Sequence, residues 1–511
     1  MHYQRGKDRG QVFMTSLEGM VDSDSWARIV DLFVDALPIA ELGFTHSKLN
    51  KEGNLPYHPS DLFKLLLYGY RHGIRSANQL SNACTINVEV MCLPAEASAQ
   101  AGLLKGLRPS PRTVNYFRAN NTEAIEKAHR HFVGLLKNWK LIDGQVMAVD
   151  GTKVRGQNSL KNNFNAKKIR RHLEYIDGRI GDYLDQLEEA EEDPSRRKRK
   201  LVKELQTKIA EQEARREKYE ALSEQVDQSE DGQVSLTDGD ARAVIKHRNI
   251  VEVGYNIQTV ADAKHKLVVD VFAGGVNDLN ELGIAGERAQ EISGVEKIDL
   301  LADAGYHNGT QLAKCERRGV RPFVAPRRGY PQKEEGFRKE DFVYDQDTDT
   351  YTCPAGSELT HTSTFKRKTS KVPYRVKRYT TPQCDGCPLR TQCTTSTNGR
   401  YIERPIHQAY TERNDRRVAR YRDFYRTRQE IIEHIFGTWK RQWGMTHSVV
   451  KGKTKVKSEY RLAAIAYNLL RATQILGLKK LQEQLRSLFF VFLCLVWSTW
   501  RPKSARYLVF P

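Results

Sequence analysis

Asp150 closes the apolar run VMAV at 146–149, Asp303 closes IDLLA at 298–302, and Glu433 lies within the stretch YRTRQEIIEHIFGTWK that begins at Tyr425. Two acids at strand ends and one on a helix can converge on metal ions. Magnesium prefers oxygen ligands and keeps several waters, so a few carboxylates suffice to hold two ions roughly 4 Å apart for phosphoryl transfer. Taken singly, an aspartate between Val and Gly is most often a turn residue. The run before Asp150 reads as a buried strand, however, and a charge at its end needs a partner or a metal to offset desolvation. Asp303 has the same setting, and the following Ala304 and Gly305 leave room for a phosphate or ion. Asp143 and Asp299 are less well placed, one in a preceding turn and the other inside its strand.

Glu433 must be separated from Glu430 on the same helix. Ile431, Ile432, Ile435, Phe436 and Trp439 form the packing stripe, while Arg426, Glu433, Gly437 and Lys440 fall on a neighbouring face that continues to Gly444. That face combines an acid, a small residue and flanking cations. A carboxylate among cations stays ionised, as a metal ligand must.

Two further patterns carry chemistry. Cys353, Cys384, Cys387 and Cys393 lie within one short region and include a Cys-x-x-Cys, a set that can close a tetrahedral zinc site. Four unconnected free thiols are the alternative, and Cys84, Cys92, Cys315 and Cys494 read as ordinary buried residues. Downstream of Glu433, a segment with Lys440, Arg441, Lys451, Lys453, Lys455 and Lys457 around Trp443 suits phosphate contacts with stacking on an unpaired base. Trp439 is better read as core.

The elements that position these groups follow from spacing. From Trp26 to about Leu141 apolar residues recur at helical intervals, giving a helical N-terminal domain over 1–140. Within it SPRTVNYFRANN, from Ser110, pairs a Ser-Pro helix start with Arg112 and Arg118, a candidate recognition helix or an ordinary bundle helix with a basic face. Residues 141–165 hold the strand ending at Asp150. Residues 166–235 are charge-rich with spaced Ile and Leu, predicting a coiled-coil hairpin turned near Asp193-Pro194-Ser195 and inserted into the core. Residues 236–329 alternate as strands at 251–261 and 265–273, a helix at 279–292, the strand before Asp303 and another at 320–325. The Gly-, Pro-, Thr- and Cys-rich stretch 330–410 breaks the pattern, 411–480 brings the helix of Glu433, and 481–511 is an apolar helix or tail. Acids at strand ends with intervening helices suit an α/β core.

Composition sets the partner class. The chain has 511 residues, enough for two to four structural units, and 82 Lys and Arg against 63 Asp and Glu leave a net charge of +19. Such a field attracts polyanions, with DNA, RNA and anionic membrane all open on this ground. The start MHYQRGKDRG has no apolar core of signal-peptide length, and the apolar run 488–497 is too short to span a bilayer.

A set of strings narrows the choice: YHPSDLFKLLLYGY from Tyr57, AVDGTK from Ala148, VGYNIQ from Val253, DLLADAGY from Asp299, CPAG from Cys353, CPLRTQC from Cys387, IEHIFGTWKRQWG from Ile432 and YNLLRA from Tyr467. In this order they resemble bacterial insertion-sequence transposases of the DDE class. The resemblance implies a ribonuclease H-like α/β core, a mixed sheet with flanking helices, plus the helical N-terminal domain and both insertions. It implies Asp150, Asp303 and Glu433 as ligands for two Mg2+ or Mn2+ ions, with Lys440, seven residues after Glu433, beside them. It places DNA-end binding in the N-terminal region, with terminal inverted repeats and target DNA as partners, a homodimer or larger oligomer on DNA, a cytoplasmic location at the nucleoid and no membrane. The related Tyr-Arg-Glu-Lys signature calls for Arg four residues before the Glu. Gln429 stands there, with Tyr425 and Arg428 offset by one. The rivals are a structure-selective nuclease on the same fold and a catalytically silent DNA-binding descendant.

Overall fold

The computed structural model describes residues 16, 18–49, 52, 55–93, 108–191, 196–229, 231–247, 250–327, 336–367 and 374–499, without the side chains of 191, 196–198, 247 and 489–499. The expected turn at 193–195 and the side chain of Cys494 therefore lie outside the described residues. The chain divides into two compact units, the first formed by 1–143, 151–277 and 431–511 and the second by 144–150 and 278–430. No helix among the described residues is long and apolar enough to cross a membrane.

The first unit opens with helices, as their spacing predicts. Ser25 caps Trp26–Asp35 by accepting from Arg28 N, Pro59 opens Pro59–Arg71, and Ser110 caps Pro111–Asn120 by accepting from Thr113 N at 3.1 Å. The helix Lys453–Leu476 is buried almost continuously from Val456 to Leu469 and packs on Thr122–Asn138, Pro59–Arg71 and the strand Val268–Ala273. Its Asn468 joins that strand as a ladder partner would, accepting from Val268 N and donating to Val268 O, both at 2.8 Å. The strands Arg242–His247, Ile250–Asp262 and Val268–Ala273 pair antiparallel in sequence order. Arg242–His247 has no counterpart in the sequence reading.

The charge-rich stretch forms two long helices, Ala166–Glu191 and Arg196–Gln228. They run antiparallel, because Ile169 at the start of one, with Phe164 just ahead of it, shares a buried cluster with Leu222 and Val226 at the end of the other. A short ribbon, Asn163–Asn165 against Gln233–Ser235, closes the base.

In the second unit, the start of strand Val146–Arg155 runs parallel to Ile298–Ala302, which runs parallel to Val320–Val324. Helix Leu282–Ser293 leads into Ile298–Ala302, and Gly309–Arg317 connects that strand to Val320–Val324. Helix Gln408–Arg420 locks on the last strand through Asn414, which accepts from Val324 N at 2.9 Å and donates to Val324 O at 2.7 Å. The Cys-rich stretch is more ordered than its composition indicates. It holds a five-stranded antiparallel sheet, in the order Tyr401–Pro405, Tyr374–Thr380, Glu358–Arg367, Thr350–Thr352, Val343–Asp345. The molecule is thus mixed α/β with a helical N-terminal region.

One buried charge cluster gives the first unit a pH dependence. Lys64, fully buried, pairs with Asp31 at 2.5 Å and Asp35 at 2.7 Å, while both oxygens of the buried Asp61 lack partners among the described residues. Burial raises the Asp61 carboxyl to about 7, against an opposing pull from Lys64. A folded-state value above the unfolded one stabilises at low pH and is lost as pH rises through it. Between about pH 4 and pH 7 this group should therefore remove up to about 4 kcal/mol of stability. Asp61→Asn is expected to unfold at higher urea than wild type at pH 8, with the difference vanishing near pH 4. Equal midpoints at pH 8 would refute the assignment.

Candidate active site

Strand register brings two of the three acids level. Ala148 stands opposite Leu301 on the parallel strands, so two residues further along each, Asp150 stands level with Asp303. Neighbouring strands are about 4.8 Å apart. The two acids therefore stand at the same height on adjacent strands. Asp303 follows the last residue of its strand, whereas the expected strand end at Asp150 is corrected, since Asp150 is the fifth residue of a strand that runs on to Arg155.

Each acid is partly buried and engaged. Asp303 caps the turn Ala304–Tyr306, its Oδ1 accepting from Gly305 N at 2.8 Å. A Cβ on Gly305 would meet that same oxygen at 2.9 Å, so glycine keeps the carboxylate open. Asp150 Oδ2 is 3.5 Å from Arg428 Nη1, and Tyr425 Oη donates to Ala302 O at 3.2 Å. Tyr425 and Arg428, offset by one from the family signature, thus reach the end of the Ile298–Ala302 strand and Asp150 on its neighbour. Burial pushes the Tyr425 phenol up, Arg428 opposes, and Asp303 adds to the rise.

Tyr306 marks how many acids gather here. It is fully buried, and its phenol is held well above the ordinary value first by burial, then by Asp278, Asp150, Asp303 and Glu281. Two of these acids, Asp278 and Glu281, escaped the sequence reading. The only local signal was a pair of acids three residues apart just ahead of helix Leu282–Ser293. Asp278 Oδ2 would lie 3.7 Å from a Cβ on Gly305, on the same side as Asp303. The alternative Asp299 is occupied elsewhere, bound by Arg321 at 2.6 and 2.5 Å. Carboxylate oxygens are the donors a hard divalent ion prefers, so the acids fit magnesium or manganese in kind. Among the described residues, no group of three or more His, Cys, Asp or Glu side chains is arranged to hold a metal ion.

Glu433 belongs to the first unit, where it is exposed, as is Glu430 in the second. Both lie on helix Arg422–Gly437. Ile431, Ile432 and Ile435 are buried, as the stripe predicts. Beyond Gly437 the α period stops, because Thr438–Gln442 is a π-turn and Trp443 N donates to Thr438 O at 3.0 Å. The single face drawn from Glu433 through Lys440 to Gly444 therefore does not continue past Gly437. Lys440 instead sets its Nζ 5.8 Å from the Phe436 ring centre.

Two expected DNA contacts are corrected. Arg118 is 1 % exposed and donates from Nη2 to Arg75 O at 2.9 Å, so it serves the helical core. Trp443 is also 1 % exposed, packed away by the π-turn, and cannot stack on a base from there. Arg112, Arg441, Lys451 and Lys453 are exposed, Lys453 at the start of helix Lys453–Leu476. Lys457, in contrast, pairs with Glu126 at 3.5 Å. Cys353, Cys384, Cys387 and Cys393 are free thiols lining one pocket.

The family model for the transposase DDE domain matches residues 352–473, which include the four cysteines, Tyr425, Arg428, Glu433 and Lys440. The model for a transposase domain (DUF772) matches residues 15–120. Asp150 and Asp303 lie between the two matched stretches. No curated protein and no solved structure matches the chain. Transposase domains are thus matched on either side of Asp150 and Asp303, and the two matches support an insertion-sequence transposase of the DDE class.

Proposed function

We propose that the protein cleaves DNA at the ends of its element and joins the freed 3′-hydroxyl to target DNA, using a ribonuclease H-like core. Asp150, Asp303 and Glu433 are the proposed ligands of two Mg2+ or Mn2+ ions. The observation that carries this reading is the parallel register, Ala148 opposite Leu301, which extended by two residues sets Asp150 level with Asp303 on adjacent strands. When bound, such ions supply Lewis acidity for in-line displacement at phosphorus. Arg428 balances the charge of Asp150 and holds Tyr425 and the acids in one partly buried cluster. The phenol of Tyr306, kept protonated, can donate among the acids and hold them in place.

DNA affinity is assigned to other groups. Arg112, Arg441, Lys451, Lys453 and Lys455 are exposed and supply phosphate contacts, with Lys440 beside the catalytic helix as a positioning cation. Terminal inverted repeats and target DNA are the proposed partners, bound by a homodimer or larger assembly in the cytoplasm, where chromosomal DNA is found. Neutralising Lys451, Lys453 and Lys455 together should flatten the slope of log affinity against log salt by up to about 0.9 for each phosphate no longer neutralised, with little change in sequence preference. An unchanged slope with unchanged cleavage would refute these contacts.

Transfer of a labelled terminal 3′-hydroxyl into a plasmid tests the function. Joined product is expected. Cutting without joining would favour a nuclease, and binding without either would favour a silent descendant.

A further inference from the structure

The five-stranded sheet of the second unit stands on a core of five buried residues, Phe342, Tyr351, Leu359, Tyr379 and Ile402. A core that small ordinarily needs a staple. Four thiols lie where one could form. Two turns of similar design present them. In Cys353-Pro-Ala-Gly356, Gly356 N donates to Cys353 O at 2.8 Å and Gly356 takes φ +80°. In Cys384-Asp-Gly-Cys387, Cys387 N donates to Cys384 O at 3.4 Å and Gly386 takes φ +79°. Each turn folds tightly behind its cysteine through a left-handed glycine. Cys393 ends the short helix Arg390–Cys393, and with Cys353 it packs against the core of the sheet.

All four cysteines line a single pocket together with Phe342, Leu359 and Arg390. Gly399 keeps the pocket clear on one side, since a Cβ there would lie 3.1 Å from Cys384 Sγ. Four partly buried thiols with no disulfide among them are a soft donor set. Because no ready group of three ligands is present among the described residues, metal capture has to draw the two turns together.

We propose that Cys353, Cys384, Cys387 and Cys393 bind one structural Zn2+ that pins the two cysteine turns and Cys393 to the edge of the five-stranded sheet. Binding replaces the thiol protons, which are released to solvent, and part of the binding free energy appears as stability of this sheet. The site stands independently of the DNA chemistry proposed for the acids.

The test uses the full-length protein purified without chelator. Elemental analysis should find about one zinc per chain, and replacement by Co2+ should give the intense near-ultraviolet band of thiolate-to-cobalt charge transfer with the visible bands of a tetrahedral ion. Cys387→Ser should lose most of the zinc and the cobalt spectrum, while Cys315→Ser, at a buried cysteine outside the pocket, should keep both. Wild type free of zinc and giving no thiolate-cobalt band overturns the proposal. So does a disulfide between any two of the four, or a Cys387→Ser protein that keeps its full zinc content.

Discussion

Asp150→Asn and Asp303→Asn are each expected to lower single-turnover cleavage and joining by at least about 10³-fold, a loss of roughly 4 kcal/mol of transition-state stabilisation. The amide keeps the shape of the side chain and removes the charge that an ion needs. DNA-end binding should stay within about twofold, because affinity is carried by phosphate contacts elsewhere. Glu433→Gln should match these losses, while Glu430→Gln should cost far less, although both glutamates are exposed. An inactive Glu430→Gln beside an active Glu433→Gln would reverse the assignment on this helix. Asp150→Asn also removes the partner of Arg428, so its melting curve has to be read beside its rate.

The largest expected effect on stability lies at Arg75, in the first unit. Its side chain is 5 % exposed, and it reaches Glu459 Oε1 at 3.0 Å, His447 O at 2.7 Å and Gly444 O at 2.7 Å. Glu459 is fully buried and also accepts from Ser448 Oγ at 2.6 Å and Val449 N at 3.2 Å. Arg75→Ala leaves that carboxylate buried without its counter-ion and takes the Arg75 donor from His447 O, while Gly444 O keeps Thr446 N at 2.9 Å. A loss of about 3–5 kcal/mol is expected, measured from urea unfolding. Glu459→Gln should recover part of it in the double variant, since the neutral amide no longer needs a cation. A loss below about 1 kcal/mol for Arg75→Ala would show that the pair is not what anchors residues 444–448.

How much of this was legible in the sequence depends on how local each determinant is. The strand end before Asp303 was legible because an apolar run followed by an acid is a local pattern, and so were the N-terminal helices with their Ser and Pro starts. At Asp150 the same pattern misled, because the strand runs on to Arg155. Arg118 was misread because the acceptor that buries it, Arg75 O, lies 43 residues away. Trp443 was misread because one π-turn shifts everything after Gly437 out of the α period, and no residue type announces such a turn. Asp278 and Glu281 were missed because only the tertiary fold carries them to Tyr306. The sheet at 343–405 was obscured by its own exposure: most of Glu358–Arg367 faces solvent, so its strand lacks the apolar alternation that would reveal it.

The central claim is that Asp303 holds a divalent ion during phosphoryl transfer, and a change of ligand hardness tests it most directly. Asp303→Cys replaces a hard oxygen with sulfur, which magnesium binds poorly and manganese accepts more readily. The measurement is single-turnover joining of a terminal 3′-hydroxyl by this variant in Mg2+ and in Mn2+, set against wild type in both. The account predicts a variant inactive with Mg2+ that regains joining with Mn2+, while wild type works with either. Joining by Asp303→Cys at the wild-type rate in Mg2+, or a folded, DNA-binding variant equally inactive in both ions, would contradict it.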